Sequence, residues 1–216
     1  MTILITGANR GIGQALWDHY AEAGRTVIGT HRAADAGDMR ELDVTDPASH
    51  RALAARLGDT PLDLLVCNAG VNLDRGQSLD DGYPSQMWQA CFAANVTGVF
   101  LSIQSLLPHL RRSPAAKIAI IGSQLGSQTI ASGGGYIYRA SKAAVLNLGR
   151  NLAVDLAPQG ISVGVYHPGW VRTDMGGSHA DISMRQSAQA LAARFAALGL
   201  DTTGCFETWD GRVHPY

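Results

Sequence analysis

Two hydrophobic patterns take turns along this chain. Short unbroken apolar runs, bounded by glycine, proline or aspartate, alternate with longer stretches whose apolar positions recur at helical spacing. The first pattern marks strands buried on both faces, and the second marks amphipathic helices. "TILIT", "RTVIGTHR", "MRELDVTD", "LDLLVCNAG", "AKIAIIG" and "GISVGVYHPG" read as strands in that order, and "GCFETWDG" as a last, edge strand. Between them, "GQALWDHYAEAG" reads as a helix closed by Gly24. "PASHRALAARLG" follows an Asp46 N-cap with Pro47 in its first turn. A long helical region runs from about Gln86 to Leu110, and "YRASKAAVLNLGRNLAVDLA" is a helix with no proline before Pro158.

This alternation predicts an α/β fold: one Rossmann-type, doubly wound domain over residues 1–216, its sheet mainly parallel, with helices on both faces. Ligands of such sheets bind beyond the carboxyl ends of the strands. Between "GTHR" and "MRELDV" stand only "AADAGD", too few residues for a crossover helix. A loop is expected there, leaving one edge of the ligand site open.

Composition narrows the class. The 216 residues are 46% apolar and 16% charged, with a net charge of -1, which gives no reason to expect nucleic acid. Arg111 and Arg112 fit the compensation of a helix C-terminus. Cys67, Cys91 and Cys205 form no CxxC, and no HxxxH occurs, so neither a disulfide framework nor a metal centre is indicated. Cys67 reads as a small buried hydrophobe. "MTILITG" does not read as a signal peptide, and no apolar run is read as membrane-spanning. The expected setting is reducing and cytoplasmic.

Two stretches carry chemistry. "TGANRGIG", Thr6–Gly13, joins the first strand to its helix, with glycines where a backbone must turn tightly and approach a pyrophosphate at a helix N-terminus. Its spacing is G-x-x-x-G-x-G, and it lacks the GK[ST] of a P-loop. In "GGGYIYRASKAAVLN", Tyr138 and Lys142 are four apart and share a helix face, whereas Tyr136 and Lys142 do not. At roughly 5 Å and an effective dielectric near 20 the ammonium favours the phenolate by about 3 kcal/mol, or about 2 pKa units. That predicts a tyrosine drawn from about 10 towards 8, useful as an acid or base. An ordinary surface tyrosine–lysine contact is the other reading of the pair alone.

Taken together, the motifs resemble the short-chain dehydrogenase/reductase family over nearly the whole chain. Thr6, Gly7, Gly11, Ile12 and Gly13 match its glycine motif, and Asn68, Ala69 and Gly70 its N-A-G. Asn95 in "ANVTG", Ser123 in "IGSQLGS", Tyr138 with Lys142, and Pro168-Gly169 match the remaining motifs. "GSQLGSQTIASGGGYIYRASKAAVLN", "HPGWVRTDMGG" and "CFETWDGRVHPY" are similar to the C-factor and sniffer-like carbonyl reductases. The resemblance implies that Tyr138 donates a proton to a carbonyl oxygen that Ser123 also hydrogen-bonds. It implies that Lys142 lowers the tyrosine's pKa and binds the nicotinamide ribose, and that Asn95 holds a water linking Lys142 to solvent. Ser123 could instead simply end a strand, Asn95 could be a satisfied buried amide, and Asn68 could only tie strands together.

The cofactor site implied comprises Gly7, Asn9, Arg10, Gly11, Ile12, Gly13, His31, Arg32, Asp43, Val44, Asn68, Ala69, Gly70, Tyr138, Lys142, Pro168, Gly169, Val171 and Thr173. No carboxylate follows strand two, where NAD-binding sites place one, and Arg32 and Arg10 can pair with a 2′-phosphate. NADP(H) is therefore expected, while Asp35 keeps NAD(H) possible. Asp43 matches the family's adenine contact or makes a turn.

The reaction expected is reversible reduction of a small aldehyde or ketone. The other readings are a nucleotide-binding signalling protein of C-factor type with little turnover, and an epimerase or dehydratase, whose relatives are longer. Residues 172–199, a loop and one helix, are expected to form a substrate lid. Gln124, Leu125, Tyr136, Trp170 and Met175 are expected to line a compact pocket, with Tyr136 otherwise packing. Apolar faces near Phe92–Leu107 and Ala143–Leu156 would suit pairing into a homodimer or homotetramer.

Overall fold

Strand β1 (Thr2–Ile5) sets the plan of the molecule. Its side chains alternate, so Ile3 and Ile5 face one side of the sheet and Leu4 the other, and all three are fully buried. Each such side chain stabilises the fold by about 1.5–3 kcal/mol relative to an exposed one. The structure, a computed structural model, describes residues 1–33 and 39–216.

Around β1 are β2 (Thr26–His31), β3 (Met39–Glu41), β4 (Leu64–Cys67), β5 (Lys117–Ile121), β6 (Ser162–His167) and β7 (Phe206–Thr208). They form one seven-stranded sheet, all parallel, in the order β3-β2-β1-β4-β5-β6-β7. The order reverses direction at β1 and β4, which opens a crevice beyond their carboxyl ends. The expected α/β class and single sheet are what the chain forms. The third strand is shorter than the sequence implied: it stops at Glu41, so Asp43 lies beyond it.

Helices α1 (Gly11–Glu22) and α6 (Met184–Ala197) cover one face, burying Leu16, Tyr20, Leu191 and Phe195 against Ile3, Ile5, Val66 and Tyr166. Helices α2 (Pro47–Leu57), α4 (Gly98–Leu110) and α5 (Tyr136–Leu156) cover the other, through Leu53, Ile103, Leu106, Val145 and Leu156. Asp46 caps α2 as its sequence implied, accepting from Ala48 N at 2.8 Å and Ser49 N at 3.2 Å. Arg112 returns its guanidinium to the carbonyl of Pro108 at 3.1 Å, answering the end of α4.

The long helical region begins at Ser85 and is not regular. Helix α3 (Ser85–Phe92) passes into α4 through a π-turn at Ala93–Thr97, a widened stretch that often marks a functional position. By length and apolar composition this run, Ser85–Leu110, matches a membrane span, contrary to the sequence expectation. Its apolar residues Val99, Ile103, Leu106 and Leu110 are used on the sheet, and the buried Asn95, Ser102 and His109 interrupt it.

Candidate active site

A cleft of about 920 Å³ opens at the carboxyl ends of the strands, between the glycine turn, the β4 and β5 ends and the loop after β6. The turn is built by close backbone approach. A Cβ at Gly13 would stand 2.2 Å from the Gly7 carbonyl oxygen and 2.4 Å from Asn68 Nδ2, so no larger residue fits unless the turn opens. Asn68 Nδ2 donates to the carbonyls of Thr6 and Gly7 at 3.0 Å each, while Thr6 Oγ1 accepts from Asn68 N and Ala69 N. Asn68 thus ties β4 to the turn, one of the two readings its sequence left open, and it also borders the cleft. The α1 N-terminus has no side-chain cap, leaving it suited to an anionic ligand.

Tyr138, in the first turn of α5, reaches the floor of this cleft beside Lys142. The Lys142 ammonium lies 5.7 Å from the Tyr138 ring centroid and donates to the Ile121 carbonyl at 2.8 Å. Burial holds the Lys142 amine down to about 8. Burial pushes the Tyr138 phenol up to about 12, with the Cys91 and Asp74 sides adding to it and a hydrogen bond with Ser123 opposing. The expected descent towards 8 is therefore overturned: desolvation of the phenol outweighs its cationic neighbour. Ser123, at the end of β5, also accepts from Leu125 N at 3.1 Å, starting a tight turn over Gln124–Gly126. A Cβ on Gly126 would lie 2.5 Å from the Lys142 carbonyl carbon, so this turn is pressed against the backbone of α5. That contact fixes serine and tyrosine in reach of one another.

Asn95 is a satisfied buried amide, one of the readings its sequence left open. Its side chain is buried, accepts from Val71 N at 2.8 Å, and donates to Val71 O at 2.9 Å and Ser141 Oγ at 3.0 Å. The amide is engaged by protein partners on the loop after β4 and on α5. Neither it nor Ser123 forms part of the cleft wall.

Of the expected cofactor residues, Gly7, Asn9, Arg10, Gly11, Ile12, His31, Arg32, Asp43, Val44, Asn68, Ala69, Gly70, Tyr138, Lys142, Pro168 and Thr173 line the cleft. Gly13, Gly169 and Val171 do not: Gly13 supports the turn, Gly169 packs against Ile182 and Trp209, and Val171 is buried beside Ile182. Arg10 reaches across the cleft mouth to Asp174, 2.8 Å from its carboxylate, with both side chains largely exposed. Asp43 accepts from Thr45 N and Thr45 Oγ1, which with Arg32 holds its carboxyl below the usual range. The aspartate is thus turn-forming as well as cleft-lining. Asp35 lies outside the described residues.

Among the expected substrate contacts only Met175 lines the cleft. Leu125 faces a separate hollow of about 220 Å³ with Arg139 and Ala143, and Gln124 borders neither. Tyr136 is half exposed and packs edge-on against Tyr83, and Trp170 is tied back by its Nε1 to the Gly176 carbonyl. Within 172–199, helix α6 is mostly a core element, burying Ser187, Ala188, Leu191 and Phe195; the loop before it borders the cleft through Arg172, Asp174, Gly177 and Ser178, and α6 itself reaches it with Met184. The sequence missed Asp174 and Asp74 because each acts on a residue far along the chain. Asp74 is buried and receives the N–H groups of Ile137 and Tyr138.

A glycine turn at the switch of a parallel sheet, with a tyrosine and a lysine lining the cleft beside it and a serine hydrogen-bonded to the tyrosine, defines a dinucleotide-dependent oxidoreductase of the short-chain type. The short chain dehydrogenase family model matches residues 1–181, and the chain belongs to that family. Among curated relatives, the rhamnolipids biosynthesis 3-oxoacyl-[acyl-carrier-protein] reductase of Pseudomonas aeruginosa is 38% identical, the match covering 77% of this chain and 71% of that protein. The C-signal of Myxococcus xanthus is 33% identical over 77% of this chain and 99% of its own length. Among solved structures, NADPH-bound carbonyl reductase from chicken fatty liver superposes with a TM-score of 0.90 at 29% identity, covering 100% of this chain and 98% of that one. Carbonyl reductase Sniffer of D. melanogaster gives 0.89 at 28% identity, covering 100% and 99%.

Proposed function

We propose that the protein is an NADP(H)-dependent reductase that converts a small aldehyde or ketone to an alcohol, reversibly. The observation that carries this reading is that Tyr138 and Lys142 line the glycine-bounded cleft while Ser123 hydrogen-bonds the Tyr138 phenol. The bound nicotinamide would supply the hydride for the carbonyl carbon. Tyr138, neutral at physiological pH because burial raises its phenol to about 12, would donate the proton to the carbonyl oxygen. Ser123 would hold that oxygen by a hydrogen bond as negative charge develops on it. Lys142 would grip the ribose hydroxyls and favour the phenolate formed in the step.

The residues present fit the cofactor. Gly13 closes a turn that admits no Cβ, and the uncapped α1 N-terminus offers free N–H groups to a pyrophosphate. Arg10 and Arg32 supply guanidinium groups for a 2′-phosphate, and no carboxylate among the described residues stands at the end of β2. The Arg10–Asp174 pair is an exposed ion pair worth only about 0–1 kcal/mol, so Arg10 can exchange it for a phosphate at small cost. The carbonyl reductase of chicken fatty liver, bound to NADPH, supports the same preference. The loop of residues 172–183 would close over the substrate, and helices α4 and α5, with Phe100 and Val154 exposed, would pair copies of the chain in the cytoplasm.

The test is NADPH oxidation with a panel of small aldehydes and ketones, comparing wild type with Tyr138→Phe. Wild-type turnover with a loss of at least about 10³-fold in the variant, and unchanged NADPH binding, is expected. A protein that binds neither dinucleotide, or a variant as active as wild type, refutes the reading. The likeness to C-signal supports a second reading, a nucleotide-binding signalling protein. Tight NADPH binding without turnover on any carbonyl would favour it.

A further inference from the structure

The loop that follows β4 is fixed to the catalytic helix from far off in sequence. Asp74 is 1% exposed. Its Oδ2 accepts from Ile137 N at 2.8 Å, and both oxygens stand 3.3 Å from Tyr138 N. These are the second and third N–H groups of α5, two of those that a helix start leaves without intrahelical partners. The residue in the N-cap position, Gly135, has no side chain to offer and sits at φ 57. A carboxylate more than sixty residues away therefore caps the helix that carries Tyr138 and Lys142.

The carboxylate is itself held in place. Three residues before it, Val71 has both backbone groups bound by Asn95, whose amide also reaches Ser141; Ser141 Oγ in turn donates to the Tyr138 carbonyl at 2.7 Å. At the far end of the same loop, Tyr83 packs on Tyr136 with ring centroids 5.2 Å apart. Nothing in ordinary helix capping requires a buried anion here, since a serine or asparagine beside the helix start would satisfy the same donors.

We propose that Asp74 is a positioning residue for the reaction: it fixes the first turn of α5, and its buried carboxylate at the Tyr138 main chain adds to burial in keeping the Tyr138 hydroxyl protonated. The proposal rests on the reading of Tyr138 as the acid. The groups around Tyr138 are Lys142 one turn along α5, Ser123 from the end of β5, Cys91 from α3 and, at the main-chain N–H, Asp74 from this loop. Burial raises the Cys91 thiol, and Asp74 is the carboxylate of the set. It opposes both the positive end of the helix dipole and the Lys142 ammonium. With burial, it helps the site keep its proton until a carbonyl oxygen takes it. Asn95 then acts at one remove, by holding Val71 and so the approach of Asp74.

Asp74→Asn keeps the shape and an acceptor while removing the charge. The ionised fraction of Tyr138 is read as tyrosinate absorbance after a rapid jump to pH 10.5, taking each protein minus its Tyr138→Phe counterpart. With the phenol at about 12, that fraction is about 3% in wild type; a fall of one unit on losing the charge raises it to about a quarter. The pH profile of NADPH-driven 4-nitrobenzaldehyde reduction should move to lower pH by the same amount, with NADPH affinity within about twofold of wild type. Asp74→Glu, which retains the charge but misplaces it, should lower kcat and leave the tyrosine titration near wild type. A titration unmoved in Asp74→Asn, even with a lowered Tm, would reduce Asp74 to a helix cap and overturn the proposal. If wild type reduces no carbonyl, the proposed activity fails, while the absorbance measurement still decides the role of Asp74.

Discussion

His167, the last residue of β6, is buried immediately before the Pro168 that lines the cleft, and its Nδ1 has no hydrogen-bond partner. Burial holds the imidazole down to about 4, with His214, Arg212 and Lys142 adding to the effect and Asp210 opposing it. The unfolded chain protonates near 6.5, so between that value and about 4 it takes up a proton that the folded chain refuses. Stability from this residue is complete above pH 6.5 and is lost as the pH falls. The gap of 6.5 − 4 = 2.5 units, at 1.36 kcal/mol each, is about 3.4 kcal/mol at the acid limit. About 1.4 kcal/mol of this is felt at pH 5.5 and about 2.6 at pH 4.5, a large share of the roughly 5–15 kcal/mol that a domain has. The assay is urea unfolding at pH 7.5, 5.5 and 4.5 for wild type and His167→Gln. Acid-sensitive carboxylates such as Asp43 and Asp63, whose pKa values are lowered, contribute equally to both proteins and cancel in the comparison. Wild type should lose more stability than the variant by the amounts above. Parallel losses in the two proteins would show that the imidazole is charged or exposed in the folded state and would refute the reasoning.

Two further substitutions probe the site. Gly126→Ala places a Cβ 2.5 Å from the Lys142 carbonyl carbon and should move the Ser123 turn away from α5, costing about 1–3 kcal/mol of stability and a larger loss in kcat than in NADPH affinity; thermal unfolding and steady-state kinetics check both. Replacing Arg10 and Arg32 together by Ala should weaken NADPH far more than NADH in fluorescence titrations, by roughly tenfold or more for the pair, and equal weakening of both dinucleotides would sink the 2′-phosphate assignment.

What could be read in the sequence follows one physical division. The unbroken apolar runs and the capped, periodic helices yielded the strands, their parallel order and both core faces, because those signals are local and every buried strand residue repeats them. Most of the glycine-turn and N-A-G residues also fell on the cleft, since they sit at strand ends whose place the fold dictates. What stayed hidden was long-range. That Asn95 would be occupied by Val71, that Arg10 would meet Asp174, and that Asp74 would cap α5 each depend on pairings across many residues that leave no periodicity. The place of the helix within the expected lid stretch was hidden for a related reason. The amphipathic pattern of "SMRQSAQALAARFAA" fits a lid helix and a core helix equally, and packing against α1 decides for the core.

The largest revision concerns the proton, and its cause is one of magnitude. At an effective dielectric near 20 a cation at 5 Å offers the phenolate about 3 kcal/mol, while withdrawing a charged group from water costs several kcal/mol per ion. The structure adds two circumstances that weaken the cation further: Lys142 is bound to the Ile121 carbonyl, and its own burial holds it to about 8. Both groups are thus pushed towards neutrality, the phenol upward and the amine downward, and the gap between them is about 12 − 8 = 4 units. At neutral pH the pair is a protonated phenol beside an ammonium that is still mostly charged. That is the loaded state for giving a proton to a carbonyl oxygen, and the wrong state for taking one from an alcohol. Burial therefore sets the resting direction of the site, and the lysine's charge becomes decisive only as the proton leaves and a phenolate must be stabilised beside it.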